Sequence, residues 1–246
     1  MSPTLVIVLR EIRSYARQRR TMVVLVLLSA ALANAGRAIV AVSPLVRLAL
    51  VTRHAASVNL SGHRDLAQSA LVWIGLLPVL FGAQQAAITI AAERERRSLT
   101  ALLAAPIPIR TILLGKLIGS LAPGALMLAV ADTVYVASIV TTAHDGAAWL
   151  PPSIVLAVLF LLLALAALMN TLALIISALA PNVAGASITA TFVLLPISFA
   201  VATLSVKVSD IGPAAVAGIA LAVSACTVTV FVAAGRFLRR ADLLAA

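Results

Sequence analysis

The stretch SIVLAVLFLLLALAALMNTLALIISAL, residues 153–179, decides the fold of this chain because it contains no charged side chain. A helix needs about 20 consecutive apolar residues to cross the hydrocarbon core of a bilayer, and this run exceeds that length. The run is also unbroken, unlike the alternating strands of about 10 residues that build a transmembrane barrel. It therefore predicts a membrane-spanning helix.

The composition of the whole chain agrees with this prediction. Of its 246 residues, 63% are hydrophobic and 11% are charged, and the mean hydropathy is +1.14. Soluble domains carry about 45–50% apolar and about 25% charged residues. The sequence thus predicts an all-α integral membrane protein.

Five more apolar runs lie before and after residues 153–179. They lie at about 21–42, 70–92, 111–142, 185–206 and 213–234. Two are interrupted by charge: Arg37 lies in the first of them, and Lys116 and Asp132 lie in the third. We predict six transmembrane helices in one domain that covers residues 1–246.

The distribution of basic residues predicts the orientation of these helices. Six crossings place both termini on the same side of the membrane, and the arginine-rich segments 10–20 and 236–240 predict that this side is the cytoplasm. Thirteen of the 18 Lys and Arg residues then lie on the cytoplasmic side. The other five are Arg37, Arg47, Arg53, Arg64 and Lys207.

The N-terminal residues 1–20 have the pattern of an amphipathic helix that lies on the membrane surface. Apolar side chains, among them Leu5, Leu9 and Ile12, share one helical face, and the basic residues Arg13 and Arg17 lie on the other. An alternative is a secretory signal with an apolar core at 22–32 and the triplet ANA at 33–35. The basic region is too long and too regular for that alternative.

The segment ERERRSLTALLAAPIPIRTILLGK, residues 93–116, forms the only predicted cytoplasmic connection long enough for structure of its own. Ser98 is a suitable N-cap, and Leu99, Leu102 and Leu103 share one helical face. Pro106 prevents the helix from continuing. The pattern predicts a short cytoplasmic helix whose apolar stripe packs on the membrane surface or in a groove of another protein.

This segment resembles the first cytoplasmic loop of ABC type-2 permeases, the membrane subunits of ATP-driven exporters. The matching residues are Glu93, Glu95, Leu99, Leu102, Leu103, Pro106, Gly115 and Lys116. Arg97, Ser98, Thr100 and Pro108 depart from the family pattern, so no role is transferred to them. Within the family, the loop is most similar to the sodium-efflux and multidrug-type permeases.

The resemblance implies a division of labour between this chain and a separate ABC ATPase, present in two copies per complex. The chain would form the substrate path with a second permease chain, with a homodimer as the simpler arrangement, in the plasma (inner) membrane of a bacterium or archaeon. ATP and Mg²⁺ would bind to the partner, because this sequence has no GxxxxGK[ST] motif and no other cofactor motif.

The resemblance also implies roles for particular residues. The short helix would couple to the ATPase through Glu93, Glu95, Leu99, Leu102, Leu103 and Pro106. Glu93 and Glu95 are placed to pair with Arg13 or Arg17 of the surface helix. Exposed ion pairs contribute only about 0–1 kcal/mol, so such pairs would align the elements and not supply most of the affinity.

Polar residues inside the spans are candidates for the substrate path or for contacts between helices. Arg37 and Asp132 lie at comparable depth, which suggests an intramembrane ion pair. Alternatively, Arg37 reaches the outer surface and Asp132 faces water in a cleft. Gln84, Gln85 and Asn170 either line the path or form interhelical hydrogen bonds.

Two other classes of function compete with an ABC permease. A secondary carrier or channel that works without ATP would need ionisable residues clustered near mid-membrane, often with internal repeats, and neither is visible here. A membrane enzyme would need a nucleophile with a base or a metal-binding cluster. The spacing of His54, His63 and Asp65 matches no metal template, so we predict no metal site and no catalytic residue.

The net charge of +10 is concentrated at the membrane ends of the predicted helices. It therefore does not predict binding of nucleic acid.

Overall fold

The computed structural model describes residues 4–10, 23, 27, 31, 61–98, 104, 107–142, 146–205 and 208–237. Residues 4–10 are helical, and seven further helices follow within these ranges, without a strand. They are α1 (Ser61–Glu95), α2 (Ile109–Thr142), α3 (Gly146–Trp149), α4 (Pro152–Leu179), α5 (Val183–Ser205), α6 (Val208–Ile211) and α7 (Pro213–Phe237).

Five of these helices, namely α1, α2, α4, α5 and α7, are long and apolar enough to cross a membrane. They coincide with the last five predicted spans, and the predicted all-helical membrane fold is confirmed to this extent. The predicted span at 21–42 lies outside the described residues, apart from the helical positions 23, 27 and 31. Six crossings and the orientation of the termini therefore stay predictions.

Helix α1 begins at Ser61, nine residues before the predicted start of its span at 70. The added turns are held by tertiary contacts that a hydropathy pattern does not contain. Gln68 is buried and donates from Nε2 to the carbonyl oxygen of Trp149 at 3.0 Å. Tyr135 of α2 donates its hydroxyl hydrogen to the carbonyl oxygen of Ala67, also at 3.0 Å.

Helices α1 and α4 form the centre of the bundle. Helix α1 packs against α2, α4 and α5, and α4 also packs against α7. At the crossing of α1 and α2 the backbones approach closely, because a Cβ atom on Gly124 would lie only 3.3 Å from the Cα atom of Gly82. Small residues at such crossings allow membrane helices to pack without a gap.

Prolines set several helix boundaries but do not break the spans. Pro151 is extended, and Pro152 begins α4. At the end of α4, Ala180 precedes Pro181 and is extended, as the residue before a proline prefers. Asn182 Oδ1 then accepts a hydrogen bond from the backbone N–H of Gly185 at 2.7 Å, which caps α5. Pro78, Pro123 and Pro196 lie inside continuous helices.

The bundle has two chemically different ends. We call the end at which α1 terminates and α2 begins the basic end, and the opposite end the far end. Seven of the eight Lys and Arg residues within the described ranges lie at the basic end, and only Arg64 lies at the far end. The ends of α4 and α7 and the start of α5 also lie at the basic end, because consecutive spanning helices alternate in direction.

Candidate functional site

The last residues of α1 contact three neighbouring helices at the basic end. Consecutive residues of a helix point about 100° apart, so three in a row face three directions. Glu93 faces α2, Arg94 faces the end of α4, and Glu95 faces the start of α5. We call these three residues the α1 clamp.

Glu93 neutralises a lysine that is buried among the helices. The Lys116 Nζ atom lies 2.9 Å from Glu93 Oε2, and only 1% of the Lys116 side chain is exposed. Glu93 Oε2 has no aligned hydrogen bond with a described residue, so its attraction to Lys116 is mainly Coulombic. Arg10 of the N-terminal segment adds a longer contact, 3.7 Å from its Nη2 atom to Glu93 Oε1. One carboxylate thus links the N-terminal segment, α1 and α2.

A close apolar contact holds the N-terminal segment beside this ion pair. Ile7 is buried, and a Cβ atom on Gly115 would lie 2.7 Å from its Cγ2 atom, so the glycine is what admits the isoleucine. Ile7 belongs to an apolar cluster with Ile90, Ile112, Leu113, Leu117, Leu174 and Ala178. The neighbouring Leu5 and Leu9 are exposed and remain available to lipid.

Arg94 and Glu95 satisfy backbone groups at the ends of two helices. Arg94 donates to the carbonyl oxygens of Ala178, at 2.8 Å, and of Ala180, where α4 ends. Glu95 Oε1 accepts a hydrogen bond from the backbone N–H of Val183 at 2.8 Å, where α5 begins. A cation at a helix C-terminus and an anion at a helix N-terminus both agree with the direction of the helix dipoles.

The turn after α1 fixes the direction in which the following loop leaves. The backbone N–H of Arg97 donates to the carbonyl of Arg94, and that of Ser98 donates to the carbonyl of Glu93 at 3.0 Å. This is the hydrogen-bond pattern of a Schellman motif, whose C′ residue is usually glycine. Arg97 adopts the required positive φ of 55° although it is not a glycine. The family pattern has a glycine at this position, and the positive φ explains that preference.

The structure places some of the predicted coupling residues and not others. Glu93 and Glu95 both lie in the α1 clamp. Leu99, Leu102, Leu103 and Pro106 lie outside the described residues, as do Arg13, Arg17 and Arg37. The predicted pairing with Arg13 or Arg17 therefore stays a prediction beside the observed contacts of Glu93 with Lys116 and Arg10.

A second polar group lies between α1 and α5, about a third of the way along the bundle from the basic end. Gln84 donates from Nε2 to Thr191 Oγ1 at 2.8 Å, and Ser187 donates its hydroxyl hydrogen to Gln84 Oε1 at 3.4 Å. Thr191 is exposed on the surface of the bundle, and Gln84 and Gln85 are partly exposed. This group thus reaches the surface at the depth of the hydrocarbon core, about 16 Å from the end of α1.

Besides Gln68 and Glu93, two buried side chains of the described residues have oxygens without a hydrogen bond. Asp132 is 4% exposed, and neither of its carboxylate oxygens has a hydrogen-bond partner among the described residues. It lies beside Gly75, whose Cβ position would be 3.2 Å from Asp132 Oδ1. Asn170 donates to the carbonyl of Ala166 at 2.7 Å, but its Oδ1 has no partner within the described ranges.

These features define a multi-pass helical membrane protein whose loop-linked helices α1 and α2 are braced at one end. A sequence model for the ABC-2 family transporter protein matches residues 5–215, and the chain belongs to this family. It is thus a transmembrane permease of the ABC transporter class, as the loop pattern predicts. Comparison with curated proteins and with solved structures returned no match.

Sequence reasoning missed three residues of this site, namely Arg94 in the α1 clamp and Lys116 and Ile7 beside it. Lys116 counts as a cytoplasmic charge in the sequence, yet the structure buries it. Ile7 does not belong to the predicted apolar face, and Arg94 reads as one charge among several. The only signal was the pair Gly115 and Lys116 in the family pattern, because contacts between residues so far apart in the chain follow no local period.

We predict that Glu93→Gln destabilises the protein by about 3 kcal/mol, because it removes the carboxylate beside a buried ammonium. This corresponds to a fall in the midpoint of thermal unfolding of roughly 6–12 °C. Lys116→Met removes the buried charge itself and should cost less than half as much. Combined with Glu93→Gln, it should restore stability relative to Glu93→Gln alone.

The matched control for this series is Glu95→Gln, since glutamine keeps an acceptor for the N–H of Val183. Its midpoint should stay within about 2 °C of the unmodified protein. Strictly additive effects of Glu93→Gln and Lys116→Met would show that the two side chains are not coupled, contrary to this structure.

Proposed function

We propose that this chain is the permease subunit of an ATP-driven exporter, and that a separate ATPase moves it through the loop at 93–110. The α1 clamp carries the proposal. The clamp residues are the first three of this loop, and they are bonded to α2, α4 and α5. A push on the loop therefore acts on four helices together.

The partner in this proposal binds ATP and Mg²⁺ and is present in two copies. Leu99, Leu102 and Leu103 would fill a groove on it, in the manner of an amphipathic helix that inserts its apolar face. Glu93 and Glu95 would keep the base of the loop in position, and Pro106 would end the coupling helix. Arg13 and Arg17 would continue the surface helix whose first turns contact the clamp through Arg10.

We propose further that the basic end faces the cytoplasm of a bacterium or archaeon. The concentration of seven of the eight described basic residues at this end supports the assignment. With a sixth span at about 21–42, both termini lie on that side. Exposed leucines at positions 5 and 9 suit a segment that lies in the headgroup region.

Charged substitutions on the leucine face should release the ATPase. A tagged chain expressed from its own operon is expected to co-purify with a soluble ATPase. Leu102→Glu with Leu103→Glu should reduce its recovery about tenfold or more, because glutamate does not enter an apolar groove. Recovery is measured as the molar ratio of the two proteins after purification.

The matched control is Ala101→Glu with Ala104→Glu, which adds the same charge to the opposite side of the predicted helix. Ala104 is exposed in the structure. This control should keep the ATPase. Full retention of the ATPase by the leucine variant would show that Leu102 and Leu103 do not dock it. A wild-type chain that recovers no ATPase would contradict the proposed function.

The polar group at Gln84 supports a water-accessible path between this chain and a second permease chain, with a homodimer as the proposed arrangement. A polar surface at this depth is unfavourable against lipid tails. The large apolar side chains Phe192 and Phe199 on the same helix as Thr191 are exposed as well, as expected of a surface shared between lipid and a partner helix. Gln85 and Asn170 are further candidates for the wall of the path.

Cysteine labelling tests this path. In a Cys226→Ala background, Gln84→Cys should react with a membrane-impermeant maleimide about tenfold faster than Val228→Cys, because a thiol ionises only in contact with water. Val228 is exposed on α7 at a similar distance from its helix end. Equally slow labelling at both positions would place Gln84 against lipid or protein.

We also propose that Asp132 forms an ion pair with Arg37. The support is the burial of Asp132 and its lack of a hydrogen-bond donor within the described part of the chain. A buried carboxylate needs a donor or counter-charge, and Arg37 is the basic residue that the sequence places at comparable depth.

A double-mutant cycle on thermal stability tests the pair. Asp132→Asn and Arg37→Gln should show a coupling energy of about 1–3 kcal/mol. The same cycle with Arg47→Gln, in the connection between the first two predicted spans, serves as the control and should show none. Additivity in both cycles would exclude the pair.

A further inference from the structure

Two arginines lie at the junction where α2 begins and α7 ends. The stem of Arg110 lies across the last turn of α7, because its Cγ atom would be 2.9 Å from a Cβ atom on Gly235. Its Nε atom donates to the carbonyl oxygen of Gly235 at 3.4 Å. Arg236 is the next residue of α7, so two guanidinium groups belong to the same helix junction at the basic end.

This pair has no counter-charge among the described residues. The terminal nitrogens of Arg110 and the guanidinium of Arg236 have no hydrogen-bond or ion-pair partner there. The two described acids at this end are already engaged, Glu93 with Lys116 and Glu95 with the N–H of Val183. Residues 236–242 of the sequence carry three arginines and one acid.

An exposed apolar surface continues from the arginines toward the centre of the membrane. Leu114 and Ile118 follow Arg110 at intervals of four residues and are 38% and 41% exposed. On α7, Val232 is 40% exposed. Ile112 and Leu113 of α2 and Phe231 of α7 belong to one apolar cluster, and the two helices contact each other. The two arginines therefore lie next to exposed apolar side chains of both helices.

We propose that this surface at the junction of α2 and α7 binds an anionic phospholipid, with Arg110 and Arg236 on its phosphate and the exposed apolar side chains along an acyl chain. The planar guanidinium binds phosphate through two parallel hydrogen bonds, and Arg110 has its terminal nitrogens free of described partners for this purpose. Basic pockets between transmembrane helices at the cytoplasmic surface bind anionic headgroups in this way. The site is separate from the α1 clamp and does not depend on ATP coupling.

Binding of short-chain lipids to the purified full chain tests the proposal. Dihexanoyl phosphatidylglycerol should raise the midpoint of thermal unfolding and remain bound in native mass spectrometry, and dihexanoyl phosphatidylcholine should do neither. Arg110→Gln with Arg236→Gln should weaken phosphatidylglycerol binding about thirtyfold, since each basic residue near anionic lipid adds a factor of about five.

The matched control is Arg64→Gln with Arg96→Gln, which removes the same charge from two exposed positions elsewhere. It should bind phosphatidylglycerol as the unmodified chain does. Equal losses in both double variants would overturn the proposal in favour of diffuse attraction. Displacement of the lipid by inorganic phosphate at equal concentration would overturn it in favour of a soluble-anion site. If the glutamine pair does not fold, Arg236→Gln alone, with a loss of about fivefold, replaces it.

Discussion

A buried ammonium inside a membrane helix requires a counter-charge, and Glu93 supplies it to Lys116 at 2.9 Å. The ammonium alone would be costly at this position, since a buried charge that loses its partner costs about 3–5 kcal/mol. The pair therefore fixes the end of α1 against Lys116, the eighth residue of α2. The loop between these helices leaves from a defined place because of this contact.

The other contacts at the basic end build on this pair. Gly115 precedes Lys116 and admits Ile7, so the N-terminal segment lies beside the same carboxylate that Arg10 contacts. Arg94 and Glu95 extend the attachment to the end of α4 and the start of α5, where backbone groups lack partners within their own helices. Polar groups whose exposure to lipid would be energetically unfavourable thus form the contacts between the helices. Helices joined in this way would move together, as the proposed coupling to an ATPase requires.

Much of the fold was predictable, because a helix that crosses a membrane needs a minimum length of uncharged residues. Helix α4 meets this requirement with 27 consecutive uncharged residues. The start of α1 at Ser61 was not, since Gln68 and Ala67 are held by Trp149 and Tyr135 from distant parts of the chain. The site was predictable only in part. Glu93 and Glu95 follow from the loop pattern, whereas the burial of Lys116 depends on packing between helices and leaves no trace in local periodicity.

The central claim is that the α1 clamp passes nucleotide-driven motion of the loop to the membrane helices. The most direct measurement follows the labelling rate of Gln84→Cys in the assembled complex, with and without a non-hydrolysable ATP analogue, in chains with and without Glu93→Gln. The account predicts a several-fold nucleotide-dependent change with intact Glu93, and no change in the variant while its ATPase stays bound. An equal nucleotide-dependent change in both chains would contradict it.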